Sequence, residues 1–311
     1  MSDFVIIADA NCDLNKGLRE RFAIADYVPS HVVLPDGSEQ FTDMDWQLYK
    51  SPKEFYEELR DEKKTFSTAI ASTGEVRSHF EPFLKEGKDI LYITISGGMS
   101  GTYNVGLMVK KELEQEYPGR TIEVIDSLRY SVAIGMLNAL ASSLRSEGKS
   151  LKETVEHIES VKNNLHQMGP MDDLFFLARK GRISKGKAFM GQLIGIKPLG
   201  DFNLQGMTTV LGKAKGKKAA LDTTIEYMRK TIVKPEEQII WLTDTNRPET
   251  IKELKERIEE EFHPKEIIYV PCSPACGVNI GPGLAAAYYF GTPITEGSVE
   301  EQKLMNEILG K

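Results

Sequence analysis

"ITISGGMSGTYNVG", residues 93–106, decides how the chain folds. A β-branched run, Ile93-Thr94-Ile95, stops at a loop with three glycines and three small hydroxyl residues between Ser96 and Thr102, and a helical pattern follows. Strand, small-residue loop and helix in direct succession open a βαβ unit, and the loop then lies at the carboxyl end of the strand. A helix N-terminus carries about half a positive charge and up to four unpaired N–H groups, so this loop can receive an anion. Glycines admit a ligand to the backbone, and Ser96, Ser100 and Thr102 add donors without bulk. An ordinary N-capped turn is the alternative. The loop lacks the Gly-Lys-Ser/Thr ending of a Walker loop and a full Gly-x-Gly-x-x-Gly.

The same theme repeats on either side. Residues 4–8 form a short buried-type strand followed by Asp9-Ala10-Asn11-Cys12-Asp13, and residues 122–125 form another followed by Asp126-Ser127-Leu128-Arg129-Tyr130-Ser131. Residues 27–34 read as one further β-rich run, which Pro29 confines to a sheet edge. Helices are expected at about 51–62, opened by Ser51-Pro52 with Glu54, and at 72–85, opened by the capping box Ser72/Glu75 and open to a kink at Pro82. Further helices follow at about 102–116 and 131–145, and from the capping box Ser150/Glu153. Strands alternating with helices predict an α/β fold with a mainly parallel, Rossmann-like sheet in the N-terminal domain. Small hydroxylated residues then recur along one edge of that sheet.

The second half is less regular and predicts a C-terminal mixed α/β domain. It holds a helical patch at 174–177, a Gly-rich amphipathic segment at 184–194, a hairpin around Asn203-Leu204-Gln205-Gly206, and strands at 238–243 and 266–270 separated by helices at 216–233 and 247–262. The domains are expected to be 1–165 and 166–311.

A chain of 311 residues can bury about 75% of its unfolded surface, and 41% apolar with 27% charged residues are globular values. The start, MSDFVIIADA, has no basic n-region of a signal peptide, and no window approaches the ~20 apolar residues of a membrane helix. Cys12, Cys272 and Cys276 are an odd number, which argues against a disulfide framework and for a reducing, cytoplasmic setting. A net charge of −7 argues against general nucleic-acid binding. Two basic clusters stand out, Arg179, Lys180, Arg182, Lys185 and Lys187, then Lys213, Lys215, Lys217 and Lys218; each suits an anionic partner or a solvated helix face.

Ser100 lacks the Gly-x-Ser-x-Gly elbow, and none of His31, His79, His157, His166 and His263 falls in the three strand-end loops, which weakens a serine-hydrolase reading. Cys272 and Cys276 are half of a metal site without a second half nearby, so buried small apolar residues are their better use and no metal is expected.

Six motifs in order then resemble the DegV family, bacterial fatty-acid-binding proteins that present acyl chains to a fatty-acid kinase. Asp9-Ala10-Asn11-Cys12-Asp13-Leu14 is similar to the family's Asp-Ser-x-x-Asp-Leu, and Thr68-Ala69-Ile70-Ala71-Ser72-Thr73-Gly74-Glu75 to its Thr-Ser-x-Pro-Ser-x-Gly-Glu. ISGGMSGTYN resembles the Ile-Ser-Ser-x-Leu-Ser-Gly-Thr-Tyr signature; Asp126-Ser127 with Ser131 and Gly135, LARKGRIS, and Gly281-Pro282-Gly283 complete the set. Departures are Ala10, Ala69 and Ala71 for small or turn residues, and Asn279 where the family commonly has histidine.

The resemblance implies a lipid carrier without catalytic residues or cofactor, with a long apolar tunnel between two domains. The ligand carboxylate would meet Thr68, Ser100 and Gly101 with Asn279 nearby, in a head-group pocket that includes Asp9, Ser96, Asp126, Ser127 and Gly281. Arg182 and Lys215 would face the kinase, and transient membrane contact is a further expectation. Phe189, Met190, Leu193, Ile194, Ile196, Leu284, Tyr288 and Phe290 supply apolar stock for the tunnel or for ordinary core. Asn279 can donate a hydrogen bond but cannot carry the charge of a histidine. It motivates the alternative, a binder or enzyme for a small phosphorylated metabolite using the same loop.

Overall fold

β1 (Phe4–Asp9) is buried along its whole length, as FVIIAD requires of a strand covered on both faces. The structure is a computed structural model that describes residues 4–311 except 50, 62, 173 and 184–194. The amphipathic segment expected at 184–194, with Phe189, Met190, Leu193 and Ile194 and the basic Lys185 and Lys187, lies outside the described residues, as does Glu62.

After β1 come α1 (Lys16–Arg21), β2 (Asp26–Val28), β3 (His31–Val33) and β4 (Glu39–Phe41). The single run expected at 27–34 is broken at Pro29 and Ser30: β2 joins the main sheet at its edge and β3 turns into a separate small sheet. Proline has no N–H to give a ladder, which is the reason for the break. α2 (Pro52–Leu59) starts as expected, with Ser51 accepting from Glu54 N and proline in the first turn. β5 (Ser67–Ala69) pairs antiparallel with β3, and α3 (Thr73–Lys85) begins in a complete Ser72/Glu75 capping box and runs through Pro82. Next are β6 (Asp89–Thr94), α4 (Thr102–Glu116), β7 (Ile122–Asp126), α5 (Val132–Ser146) and α6 (Leu151–Val161), the last in a second complete capping box, Ser150/Glu153.

The main sheet has the order β2-β1-β6-β7 and is parallel throughout. Val5 and Ile7 of β1 and Ile90 and Tyr92 of β6 pack with Val76 and Phe80 of α3 and Val109 and Leu113 of α4, while α5 and α6 lie against the strands as well. The sequence pattern of alternating apolar strands and helices thus becomes a layered α/β unit, because each parallel strand needs a helical crossover to return.

The remaining elements are β8 (Leu165–Met168), α7 (Phe175–Arg179), β9 (Ile196–Phe202), β10 (Thr208–Lys215), α8 (Gly216–Thr231), β11 (Ile239–Asp244), α9 (Pro248–Phe262), β12 (Glu266–Tyr269), α10 (Pro274–Ile280), β13 (Ala285–Phe290) and α11 (Val299–Ile308). β9 and β10 are the expected hairpin, with a bulge between Val210 and Gly212. A mixed sheet has the order β12-β11-β13-β8, parallel at β11/β12 and antiparallel elsewhere. β8 and β13 escape the sequence pattern. In β8 the buried His166 and Gln167 interrupt the apolar run, and the first half of β13 is Ala285-Ala286-Ala287. Gly169 runs so close to this strand that a Cβ there would fall on the Ala285 carbonyl, so position 169 requires glycine.

Two compact units result. The first is Met1–Leu48, Phe66–Lys162 and Ser273–Ala275; the second is Tyr49–Thr65, Asn163–Cys272 and Cys276–Lys311. The core of the second gathers Leu221, Ile225 and Met228 of α8, Ile251, Leu254 and Ile258 of α9, and Ile240 and Leu242 of β11. Among the described residues, no helix is long and apolar enough to cross a membrane.

Candidate ligand site at the strand ends

The loops after β1, β6 and β7 meet at one edge of the parallel sheet, held by carboxylates that accept backbone N–H groups. Asp9 receives Ile95 N at 2.8 Å and Asn11 N at 2.9 Å, tying the end of β1 to the end of β6. Burial pushes the Asp9 carboxyl above its ordinary value, and the N–H groups of Ile95 and Asn11 pull the other way. Asp126 does the same between β7 and the quoted loop, accepting Gly97 N at 3.0 Å and Leu128 N at 2.9 Å. A Cβ at 97 would stand 2.7 Å from Asp126 Oδ2, so a side chain there would displace the carboxylate that holds the loop.

Within the loop, Met99 N and Ser100 N both bond Ser96 O at 3.0 Å, so 96–100 curls into a turn that feeds α4. Ser96 is fully buried and its Oγ accepts Gly98 N, a structural use of that hydroxyl. Ser100 is half-buried; its Oγ lies 2.9 Å from Thr102 Oγ1 and accepts Thr102 N at 3.3 Å. Gly101, the N-cap of α4, brings no side chain to the helix start. Thr68 is half-buried on β5, opposite Val32. Its strand leads to Ile70, whose Cδ1 would stand 3.3 Å from a Cβ on Gly101, which brings the end of β5 beside the start of α4.

Ser127 is fully buried, donating to Arg129 O and accepting Arg129 N. Leu128 (φ 54°) and Ser131 (φ 58°) hold left-handed backbone in this loop, a strain that persists only where the surroundings over-determine it. Ser131 was expected to open α5; it is the N-cap, but its hydroxyl donates to Asp13 Oδ2 and leaves the helix uncapped by a side chain. Asp13 also accepts Ser273 N at 2.8 Å. The Asp13, Ser131 and Ser273 association and the 2.7 Å bond from Lys162 Nζ to Asp126 O carry no local sequence signal. Their partners are separated by tens or hundreds of residues.

In the second unit, Asn279 is half-buried near the end of α10 and Gly281 follows it. Gly281 has φ 79°, and a Cβ there would lie 2.3 Å from Phe176 of α7, so the glycine is a packing requirement. Arg182 follows α7, and its Nη1 donates to Lys180 O. Burial, then the charges of Arg179 and Arg182, push the Lys180 ammonium down. Ile183 bridges Thr208, the first residue of β10, whereas Lys215 is its last. Seven residues of strand separate the Arg182 and Lys215 positions by roughly 20 Å. Lys217 and Lys218 of the same cluster are paired with Glu253 and Asp222, each at 2.8 Å, while Lys215 is exposed.

The three cysteines are buried thiols, and burial pushes the Cys12 thiol far up, away from reactivity. Among the described residues no group of three or more His, Cys, Asp or Glu side chains could hold a metal ion.

Residues 3–291 match a family model described as "Uncharacterised protein, DegV family". A DegV domain-containing protein of Clostridium perfringens is 32% identical over 94% of this chain and 98% of its own length. Two solved structures share the fold. One, described as fatty acid binding of a DegV family protein from Thermus thermophilus, has a TM-score of 0.82 and 24% identity, covering 93% of this chain and 99% of that one. The other is the fatty acid kinase B3 protein of Streptococcus pneumoniae loaded with linoleic acid, with a TM-score of 0.77, 23% identity and the same coverage. With a family model and a relative both matching nearly end to end, the chain belongs to the DegV family.

Proposed function

We propose that this chain binds a long-chain fatty acid, performs no catalysis itself, and presents the acid to a fatty-acid kinase. The ligand carboxylate is held by the hydroxyls of Thr68 and Ser100 and the backbone of Gly101, with Asn279 nearby; Arg182 and Lys215 meet the kinase. In this reading residues 1–165 carry the head-group loops and 166–311 cover the acyl chain.

The observation that carries the proposal is the start of α4. There a half-buried serine hydroxyl adjoins a helix N-terminus whose N-cap is glycine, with the strand of Thr68 alongside. A carboxylate leaving water needs charge-assisted donors, and this is a place that can supply several. Each buried methylene adds about 0.8 kcal/mol, so a chain of roughly sixteen carbons outweighs a considerable head-group cost. The fatty acids bound by the Thermus protein and the pneumococcal B3 protein support the ligand class, and the latter's kinase name supports the partner.

Asp9, Ser96, Asp126 and Ser127 enter the proposal as the frame of the head-group pocket, through their bonds to the loop backbone. Asn279 in place of a titratable histidine favours a second reading, a small phosphorylated metabolite on the same loop. Native mass spectrometry of protein purified from cells is expected to show a co-purifying acyl chain. With delipidated protein, Ser100→Ala is expected to weaken fatty-acid binding by about ten-fold, one charge-assisted hydrogen bond's worth. Failure of the wild type to bind any fatty acid overturns the proposal. Unchanged fatty-acid binding with lost phosphate-ester binding favours the rival.

A further inference from the structure

α4 starts differently from α3 and α6. In those two helices the N-cap is a serine whose hydroxyl accepts the backbone N–H of the third helical residue, a glutamate, at 3.3 Å. The same hydroxyl gives its own proton to that glutamate's carboxylate, Ser72 to Glu75 and Ser150 to Glu153, each at 2.7 Å. The N-cap of α4 is Gly101, and its third residue is Asn104, so neither a capping hydroxyl nor a carboxylate stands at those positions. The hydroxyl falls one residue earlier, on Ser100. Its Oγ accepts Thr102 N at 3.3 Å and lies 2.9 Å from Thr102 Oγ1. Among the described residues, both hydrogen bonds of Ser100 Oγ are thus to Thr102, and Thr102 Oγ1 bonds Ser100 alone.

The proton count of the pair sets the direction of the 2.9 Å bond. Each hydroxyl has one O–H and two lone pairs, so the two residues hold two protons and their mutual bond uses one. With Ser100 as donor, the second proton stays on Thr102, which is only 5% exposed and has no other acceptor among the described residues. A buried donor left without a partner is costly. With Thr102 as donor, the spare proton is on Ser100, which is half-buried and can give it to water or to a ligand. Ser100 Oγ then accepts twice, from Thr102 N and from Thr102 Oγ1, and its own O–H is directed away from both. An O–H whose oxygen accepts hydrogen bonds is polarised into a stronger donor.

We infer that Thr102 is a positioning residue for ligand binding: by donating to Ser100 it turns the serine O–H outward and strengthens it toward an anionic head group, without touching the ligand itself. The inference rests on the fatty-acid reading of Ser100.

The test uses the full-length delipidated protein, with oleate displacing anthroyloxy-stearate. Thr102→Val keeps the shape and removes the donor, and Thr102→Ser keeps the donor. Thr102→Val is expected to bind oleate about two- to five-fold more weakly than wild type, and Thr102→Ser to stay within about two-fold of it. The decisive measurement repeats Thr102→Val in the Ser100→Ala background, where it is expected to change affinity by a factor of about one, because the hydroxyl it directs is gone. Thr102→Ala is measured alongside, and whichever of the two donor-free variants retains the cooperative wild-type melt is the one read. Wild-type affinity in that variant, an undiminished loss in the Ser100→Ala background, or no rescue by Thr102→Ser overturns the inference alone. Absence of fatty-acid binding by the wild type, or unchanged binding by Ser100→Ala, overturns the fatty-acid reading of Ser100 and this inference with it.

Discussion

Two polar clusters in this molecule look alike in composition and differ in what they leave over. In the second unit, His166 and Asp201 are almost wholly buried, with Nδ1 2.5 Å from Asp201 Oδ2 and Nε2 2.7 Å from Thr292 O. Tyr227 Oη donates to Asp201 Oδ2 at 3.0 Å, while Gln167 N and Phe202 N donate to Oδ1 at 2.8 and 2.7 Å. The His166 ring stacks on Tyr289. Those bonds join β8, β9 and α8 with the chain after β13, and they face inward. At the strand-end loops, Asp9 and Asp126 are spent in the same way on backbone N–H groups, yet Ser100 and Thr68 stay half-buried beside a helix start. A buried, closed network fixes a fold; the network at the strand ends holds loops in place and keeps two hydroxyl side chains half-buried near a helix start.

The strongest way to break that contrast is Asp201→Ala. It strips a buried histidine and Tyr227 of their carboxylate and leaves two backbone N–H groups without it, so a loss of about 3–5 kcal/mol is expected in urea denaturation. Fatty-acid affinity per folded molecule should not change. A loss under about 1 kcal/mol would remove the distinction between the two clusters.

Gly97→Ala is smaller in stability and larger in function. The new methyl pushes against Asp126 Oδ2 and shifts the turn before Ser100. About 1–3 kcal/mol of stability is expected to go, together with ligand binding, read by chemical denaturation and by displacement of a bound fluorescent fatty acid. Retained binding would show that the turn tolerates movement and that Asp126 is no part of the site's frame.

The smallest effect concerns acid. A carboxyl lowered in the folded state contributes stability above its unfolded value, and that contribution goes as pH falls through the folded one. Glu75 is such a group, chiefly through the Ser72 N–H. Glu75→Gln is therefore expected to flatten the acid limb of the stability curve below about pH 4.5. The change should stay under about 1 kcal/mol, because the carboxylate is a third exposed and screened. Thermal melts from acid to neutral pH would measure it, and a parallel limb would assign acid sensitivity elsewhere.

Much of the first unit was legible in local chemistry. FVIIAD and DILYIT announce strands buried on both faces, and the pairs Ser72/Glu75 and Ser150/Glu153 announce the helix starts that the structure keeps. The second unit was legible where alternation or turn chemistry was local, as in the hairpin about Asn203. It was illegible in β8, where His166 and Gln167 are buried because Asp201, 34 or 35 residues away, receives them. β13 hid for another reason: the three alanines at its start carry little strand preference, and the pairing with β11 and β8 that makes them a strand is long-range.

By itself the sequence determined the parallel α/β unit, the hydroxyl-rich edge and the ordered motifs of the family, because periodicity, capping and turn residues act over a few positions. Only the tertiary structure decided which of those hydroxyls is drawn to a distant partner. Ser131 donates to Asp13, 118 residues away, whereas Ser96, Ser127 and Ser100 bond Gly98, Arg129 and Thr102, each two residues on. It also decided that Ile70 lies against Gly101 and that His31 reaches Glu75. A hydroxyl or an imidazole states what bonds it can make; which partner it finds depends on chain brought near from far along the sequence.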